Sequence, residues 1–356
     1  MERRIENRQL VYILVLFLIA QFFGFMLVYA SFTQSYVLIS EFNTETNTNF
    51  YAILIQFVIN ILIAIGIIML IMRYYKGETV FKLFEAFFIL VGSFFLFFMM
   101  LALVSSNDTV VGLASVILAL LVLWIKNRTN GYRNFITMIS SMGYGAFIGL
   151  SFSLLFGFLI VYAFLAMIAV YDYVAVFVLK FMIPFARKAS SMNLAFMIGS
   201  SNVEVIPKEK LTKKETTYLK KEDMSKFSSP TLKKLVKEGH MPVISSAMLG
   251  NGDIMLPLMV TVGSYIAFMN VFVSLMTIVG SGVGLIFTLY LLKKYKIGLP
   301  AIPPLFSFIS LSLFVVFLIG KPFQPLMVVL FLSASIISIV MMIITIRRIV
   351  KRSKKD

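Results

Sequence analysis

Apolar runs of about twenty residues recur along this 356-residue chain and leave it few ways to fold. Ten such runs lie at about 10–33, 50–72, 79–104, 109–125, 135–155, 157–183, 242–266, 269–292, 298–319 and 324–346. Lipid offers no hydrogen bonds to a backbone, so each run must be a helix or a strand of a closed barrel. The runs are unbroken and lack the alternation of barrel strands, which decides for helices. The composition agrees: 60% of residues are hydrophobic, 13% are charged, and the mean hydropathy is +0.95. Soluble domains are far more polar. The expected fold class is therefore an all-α polytopic membrane protein. The first run follows Arg3, Arg4 and Arg8 in the manner of a signal peptide. Its apolar core is about twice the usual length of roughly 7–15 residues, so it is read as a retained first helix.

The basic residues orient the chain. With the N-terminus in the cytoplasm and the runs alternating, the inside segments carry Arg73, Lys76, Lys82, Lys126, Arg128, Arg133, the Lys180–Lys237 cluster, Lys293, Lys294, Lys296 and the tail from Arg347. Lys321 alone of the 32 Lys and Arg falls outside. This is the positive-inside pattern, and it also accounts for the net charge of +16 through anionic lipid rather than nucleic acid. Trp124, Tyr74 and Tyr75 sit at inside boundaries, as an aromatic belt would. Gln21, Gln56 and Asn60 are expected to make interhelical hydrogen bonds, and Lys82 with Glu85 an interfacial pair. Gly145 with Gly149, and Gly280 with Gly284, are small-xxx-small pairs that bring helices close.

Two acids break the apolar pattern. Asp172 lies eight residues before Lys180, about 12 Å along a helix. Asp253 lies about twelve residues into the run from 242, about 18 Å if that run is helical throughout. An ionised side chain at mid-membrane costs about 3 kcal/mol on insertion scales, so an intramembrane acid is a functional residue by default and needs a partner. The depths are compatible, and each acid is the other's candidate partner. Gly250 and Gly252 allow close backbone approach or local unwinding before Asp253, and Pro257 weakens the helix after it. Such a backbone must line a cavity or touch protein. Ser190–Ser200 is apolar but too short to span and is expected at the interface. Residues 201–240 are hydrophilic and read as a mobile cytoplasmic loop. Its flanks, Val203–Ile206 and Met241–Ile244, are β-prone and able to pair with each other or with an incoming extended strand.

Two adjacent carboxyls share one proton and titrate as a unit. One can take a proton from water while the other protonates a peptide oxyanion and then the leaving amine. No metal or cofactor is required. Other protease chemistries lack their residues: there is no cysteine, no His-Glu-x-x-His, and the one histidine, His240, falls at a loop end.

Tyr171-Asp172, Gly250-Asn251-Gly252-Asp253 and Pro300-Ala301-Ile302-Pro303 resemble the Y-D, G-x-G-D and P-A-L-P motifs of presenilins and signal peptide peptidases. The run Gly252–Pro257 looks most like the signal peptide peptidase branch and its prokaryotic relatives, and the resemblance covers roughly residues 135–320. It implies an intramembrane aspartyl protease with Asp172 and Asp253 as the catalytic pair. It also implies supporting roles for Tyr171, Gly250, Asn251, Gly252, Pro300, Ala301, Ile302 and Pro303. Substrates would be transmembrane helices of membrane proteins or signal-peptide remnants. The cytoplasmic N-terminus is similar to presenilin orientation and opposite to that of signal peptide peptidase. Ile302 stands where the family usually has Leu, and the run at 324–346 is a tenth span where the family usually shows nine.

The expected organisation has four parts. Residues 1–187 carry Tyr171-Asp172, 188–240 form the loop, 241–320 carry the other two motifs, and 321–356 form a basic tail and an extra hydrophobic segment, either interfacial or an oligomer contact. Two other readings remain: a prepilin-type peptidase, which also uses a G-x-G-D carboxylate, and a proton-coupled transporter with buried acids as relays.

Overall fold

A computed structural model describes residues 7–39, 55–56, 59, 78–177, 194–207, 240–295, 300–319 and 325–353. Among them run α1 (Asn7–Ile39), α2 (Glu78–Ala102), α3 (Asp108–Arg128), α4 (Arg133–Phe156), α5 (Phe158–Phe177), β1 (Met197–Pro207), β2 (His240–Gly250), α6 (Asn251–Phe268), α7 (Val271–Tyr295), α8 (Ile302–Leu318) and α9 (Pro325–Ser353). Six helices are long and apolar enough to cross a membrane among the described residues. Most of the run expected at 50–72 and most of the 201–240 loop lie outside the described residues.

Two compact units divide the chain. Met1–Ile13 and Gly199–Met248 form one, which holds most of the paired strands. Leu14–Ile198 and Leu249–Asp356 form the other, which holds the helical bundle. The pairing of β1 with β2 joins the two β-prone flanks to each other, as their composition suggests.

One expectation is corrected here. The run from 242 is not helical from its start: 240–250 is strand, and the helix begins at Asn251. Asp253 therefore stands in the first turn of α6, and the helical depth of about 18 Å does not apply. Met, Val, Ile and Leu suit a buried strand and a buried helix alike, so composition could not separate them; Gly250, the N-cap, marks the change. The Ser190–Ser200 segment differs as well. Leu194 and Ala195 are buried against the bundle, and β1 starts two residues later.

Helix α6 is the centre of the bundle. Every residue from Leu256 to Ile266 is buried, as a helix apolar on all sides requires. Gly145 and Gly149 of α4 make that approach possible. A Cβ at Gly145 would sit 2.8 Å from the Met255 carbonyl oxygen, and one at Gly149 would sit 2.7 Å from that of Met259. Gly280 and Gly284 do the same between α7 and α8, where added Cβ atoms would meet the Phe308 carbonyl at 2.7 Å and Leu305 Cα at 2.9 Å. Pro257 does not end α6, and Gln21 of α1 donates to the Ile254 carbonyl in the weakened turn at 2.7 Å. That is the interhelical hydrogen bond expected of Gln21; Gln56 is exposed, and Asn60 lies outside the described residues.

The apolar core joins α5, α6, α8 and α9. Leu165 and Ala169 meet Met259 and Val260, then Ile309, Leu313 and finally Phe331. Tyr162 brings a hydroxyl into this core and satisfies it on Ser310 Oγ at 2.6 Å. The extra C-terminal hydrophobic run is thus a packed helix, with Phe331 buried between Phe158 and Tyr162.

Candidate active site

Asp172 lies near the end of α5 and is buried. Its Oδ2 accepts the backbone N–H of Ile302 at 3.3 Å, and the Ala301 backbone contributes a further hydrogen bond. Both donors come from the Pro300–Pro303 segment. The chain is non-helical at Pro300, Ala301 caps α8, and Pro303 falls at the second helical position. A helix start exposes N–H groups that have no partner in their own helix. Prolines there cost nothing, because their missing N–H would be an orphan anyway. The segment thereby turns backbone donors onto Asp172, and all four of its motif residues are buried.

Asp253 is the third residue of α6. Its Oδ2 accepts the Gly250 N–H at 3.1 Å, which satisfies the N-cap donor and places a carboxylate at the positive end of the helix. Gly250 leaves room for this: an added Cβ would lie 3.2 Å from that oxygen. Gly252 has no neighbour within 4 Å of its would-be Cβ among the described residues, so open space lies beside the acid. Asp253 itself is partly accessible. The helices α5 and α6, which carry Asp172 and Asp253, pack together. Tyr171 is half-buried beside Asp172.

Asn251 is buried and tied down at two points. Its N–H donates to the Phe196 carbonyl at 2.9 Å, which joins the start of α6 to the residue before β1. Its side-chain amide meets Ser141 of α4. Sequence reasoning missed Ser141, although a signal was present. Thr137, Ser141, Gly145 and Gly149 recur every four residues, so the small-residue stripe of α4 extends to the motif.

Glu85 also gains a partner that the sequence did not suggest: it is fully buried and pairs with Lys126 of α3. Spacing along one helix could not reveal a partner on another.

The family described as signal-peptide peptidase, presenilin aspartyl protease matches residues 14–321, beyond the 135–320 of the motif-bearing spans. Among solved structures, a presenilin-family intramembrane aspartate protease shares the fold with a TM-score of 0.52 at 19% identity, covering 86% of this chain and 96% of its own. No curated protein matches the chain. Neither a prepilin-type peptidase nor a transporter finds support. With the family matched over most of its length and a presenilin-like fold built from apolar helices, this multi-pass membrane protein belongs to the signal-peptide peptidase and presenilin family and is an intramembrane aspartyl protease.

Proposed function

We propose that Asp172 and Asp253 are the catalytic acid–base pair of this protease. The observation that carries the reading is their placement on two packed helices, each with one carboxylate oxygen held by a backbone N–H. The pair holds one proton. The ionised member draws a proton from a water, the hydroxide equivalent adds to the peptide carbonyl, and the protonated member neutralises the oxyanion. Collapse of the tetrahedral intermediate breaks the C–N bond as the leaving amine takes up a proton from the pair, and the shared proton is restored for the next turnover.

The substrate is a transmembrane helix or signal-peptide remnant, unwound locally so that its carbonyl is no longer shielded by helix hydrogen bonds. Tyr171, Gly250, Asn251, Gly252 and the Pro300–Pro303 segment shape and support the site. Residues 1–187 bring Asp172, and 241–320 bring Asp253 and the proline segment, with 188–240 between them and 321–356 beyond. The basic residues support a cytoplasmic N-terminus and a cytoplasmic 188–240 region. A homo-oligomer through the C-terminal segment remains part of the proposal.

The test is cleavage of labelled single-span peptides by purified protein in liposomes, with mass spectrometry of the products. Wild type should cut, and Asp172→Asn and Asp253→Asn should not. Cleavage retained by either folded variant removes that residue from the pair.

A further inference from the structure

Glu85 is a buried acid that the proposed reaction does not use. Its carboxylate pairs with Lys126, lies within the electrostatic reach of Arg133, and accepts the backbone N–H of Ala195. The Thr137 hydroxyl of α4 is shared between the carbonyl of the same Ala195 at 3.1 Å and that of Arg133 at 2.8 Å. The next carbonyl, of Phe196, accepts the Asn251 N–H that opens α6. Apolar contacts hold the same three residues: Leu194 packs with Phe81, Ala195 with Ile89, Val122 and Ile136, and the Phe196 ring lies edge-on to Phe88.

We propose that Glu85 is a positioning residue of the protease. By fixing Ala195 it sets where Phe196 receives Asn251, and so where the first turn of α6 holds Asp253 relative to Asp172. The inference rests on the reading of Asp253 as a catalytic acid. Stability alone is a poor reason for this arrangement, because a buried ion pair is commonly replaced by packed apolar side chains without loss. A leucine at position 85 would fill space but give Ala195 no acceptor. What the carboxylate supplies is a fixed direction for one peptide group. The same turn of α6 then spends its first two N–H groups on the acid and on the residue before β1, Gly250 to Asp253 and Asn251 to Phe196. A displacement of the strand end is therefore carried to the acid.

The experiment uses the full chain in liposomes with a labelled single-span peptide, measuring kcat and KM separately. Glu85→Ala removes charge and acceptor. Thr137→Val removes the second anchor of Ala195 at nearly constant shape. The double variant Glu85→Gln with Lys126→Met removes both charges but keeps an acceptor for Ala195. Misplacing a reacting group costs turnover more than binding. Glu85→Ala and Thr137→Val should each lower kcat at least about tenfold with KM within about twofold, while the double variant keeps most of the wild-type kcat. If Glu85→Ala does not fold, Thr137→Val decides. Wild-type kcat in folded Thr137→Val, or a double variant as slow as Glu85→Ala, overturns the positioning role. Asp253→Asn is measured alongside: if it cleaves, the catalytic reading and this inference fall together, whereas an inactive Asp253→Asn beside a fully active Thr137→Val removes the positioning role alone.

Discussion

The backbone N–H of Ile302 reaches Asp172 Oδ2 at 3.3 Å across 130 positions of sequence. This bond separates the chemistry of Asp172 from its structural part. Asparagine keeps an acceptor for Ile302 but cannot hold or give the shared proton. Alanine loses both and leaves a buried N–H unpaired, at about 1–3 kcal/mol. Asp172→Asn and Asp172→Ala are therefore expected to be equally inactive, with the thermal midpoint lowered only in the alanine variant. Equal midpoints in the two would show that the bond contributes nothing to the fold.

If Asp172 and Asp253 share one proton, as proposed, a pH profile follows. Raising the pH removes that proton and leaves two bases and no acid. Lowering it adds a second and leaves no base. The rate should fall on both sides of a maximum, and the alkaline loss should reverse on returning to neutral pH. Measuring kcat/KM across pH on protein shown by circular dichroism to stay folded checks this, and a rate that stays flat into the alkaline range contradicts it.

The two motif glycines should behave differently. An alanine Cβ at Gly250 would press on Asp253 Oδ2 from 3.2 Å and shift the acid by a few tenths of an ångström. Gly250→Ala should slow turnover about tenfold with little change in melting. Nothing lies within 4 Å at Gly252 among the described residues, and alanine is the better helix former by about 1 kcal/mol. Gly252→Ala should melt at or above the wild-type temperature. A melting loss at position 252 would contradict the open space found there.

Helix α9 lies beyond the family match, which ends at residue 321, yet it is part of the core. Phe331 is 1% exposed between the rings of Phe158 and Tyr162. Phe331→Ala should cost about 3 kcal/mol and lower the melting temperature by several degrees. Product masses should not change, because Asp172 and Asp253, the proposed pair, are on other helices. An unchanged melting temperature would mean that α9 is only loosely attached.

Much of this site can be read from residue types alone. Asp172 and Asp253 are conspicuous because charge is so costly among apolar neighbours, and a helix start rich in proline is a recognisable pattern. The pairing of the strands around 203–206 and 241–244 was also legible, since β-branched residues at both ends of a polar stretch favour it. The position of Asp253 within its helix was not. It depends on where strand gives way to helix, and Ser245 through Leu249 carry no local cue that decides between them. The partners of Glu85 and Asn251 were hidden for another reason. They come from Lys126, Ala195 and Ser141, and only tertiary packing brings those residues near.

The glycine ledge of α4 has a mechanical consequence. Where Gly145 and Gly149 face α6, its main chain would lie 2.8 and 2.7 Å from added Cβ atoms, with the Leu258 and Val262 side chains packed beside it. Such a seam cannot slide by small amounts without coming apart. In bilayers thicker or thinner than the protein's own apolar height, the outer helices must absorb the mismatch by tilting, while the α4–α6 seam moves as one block. The bond chosen for hydrolysis should then be measured from that block, and changing the lipid tail length should move the substrate rather than distort the enzyme.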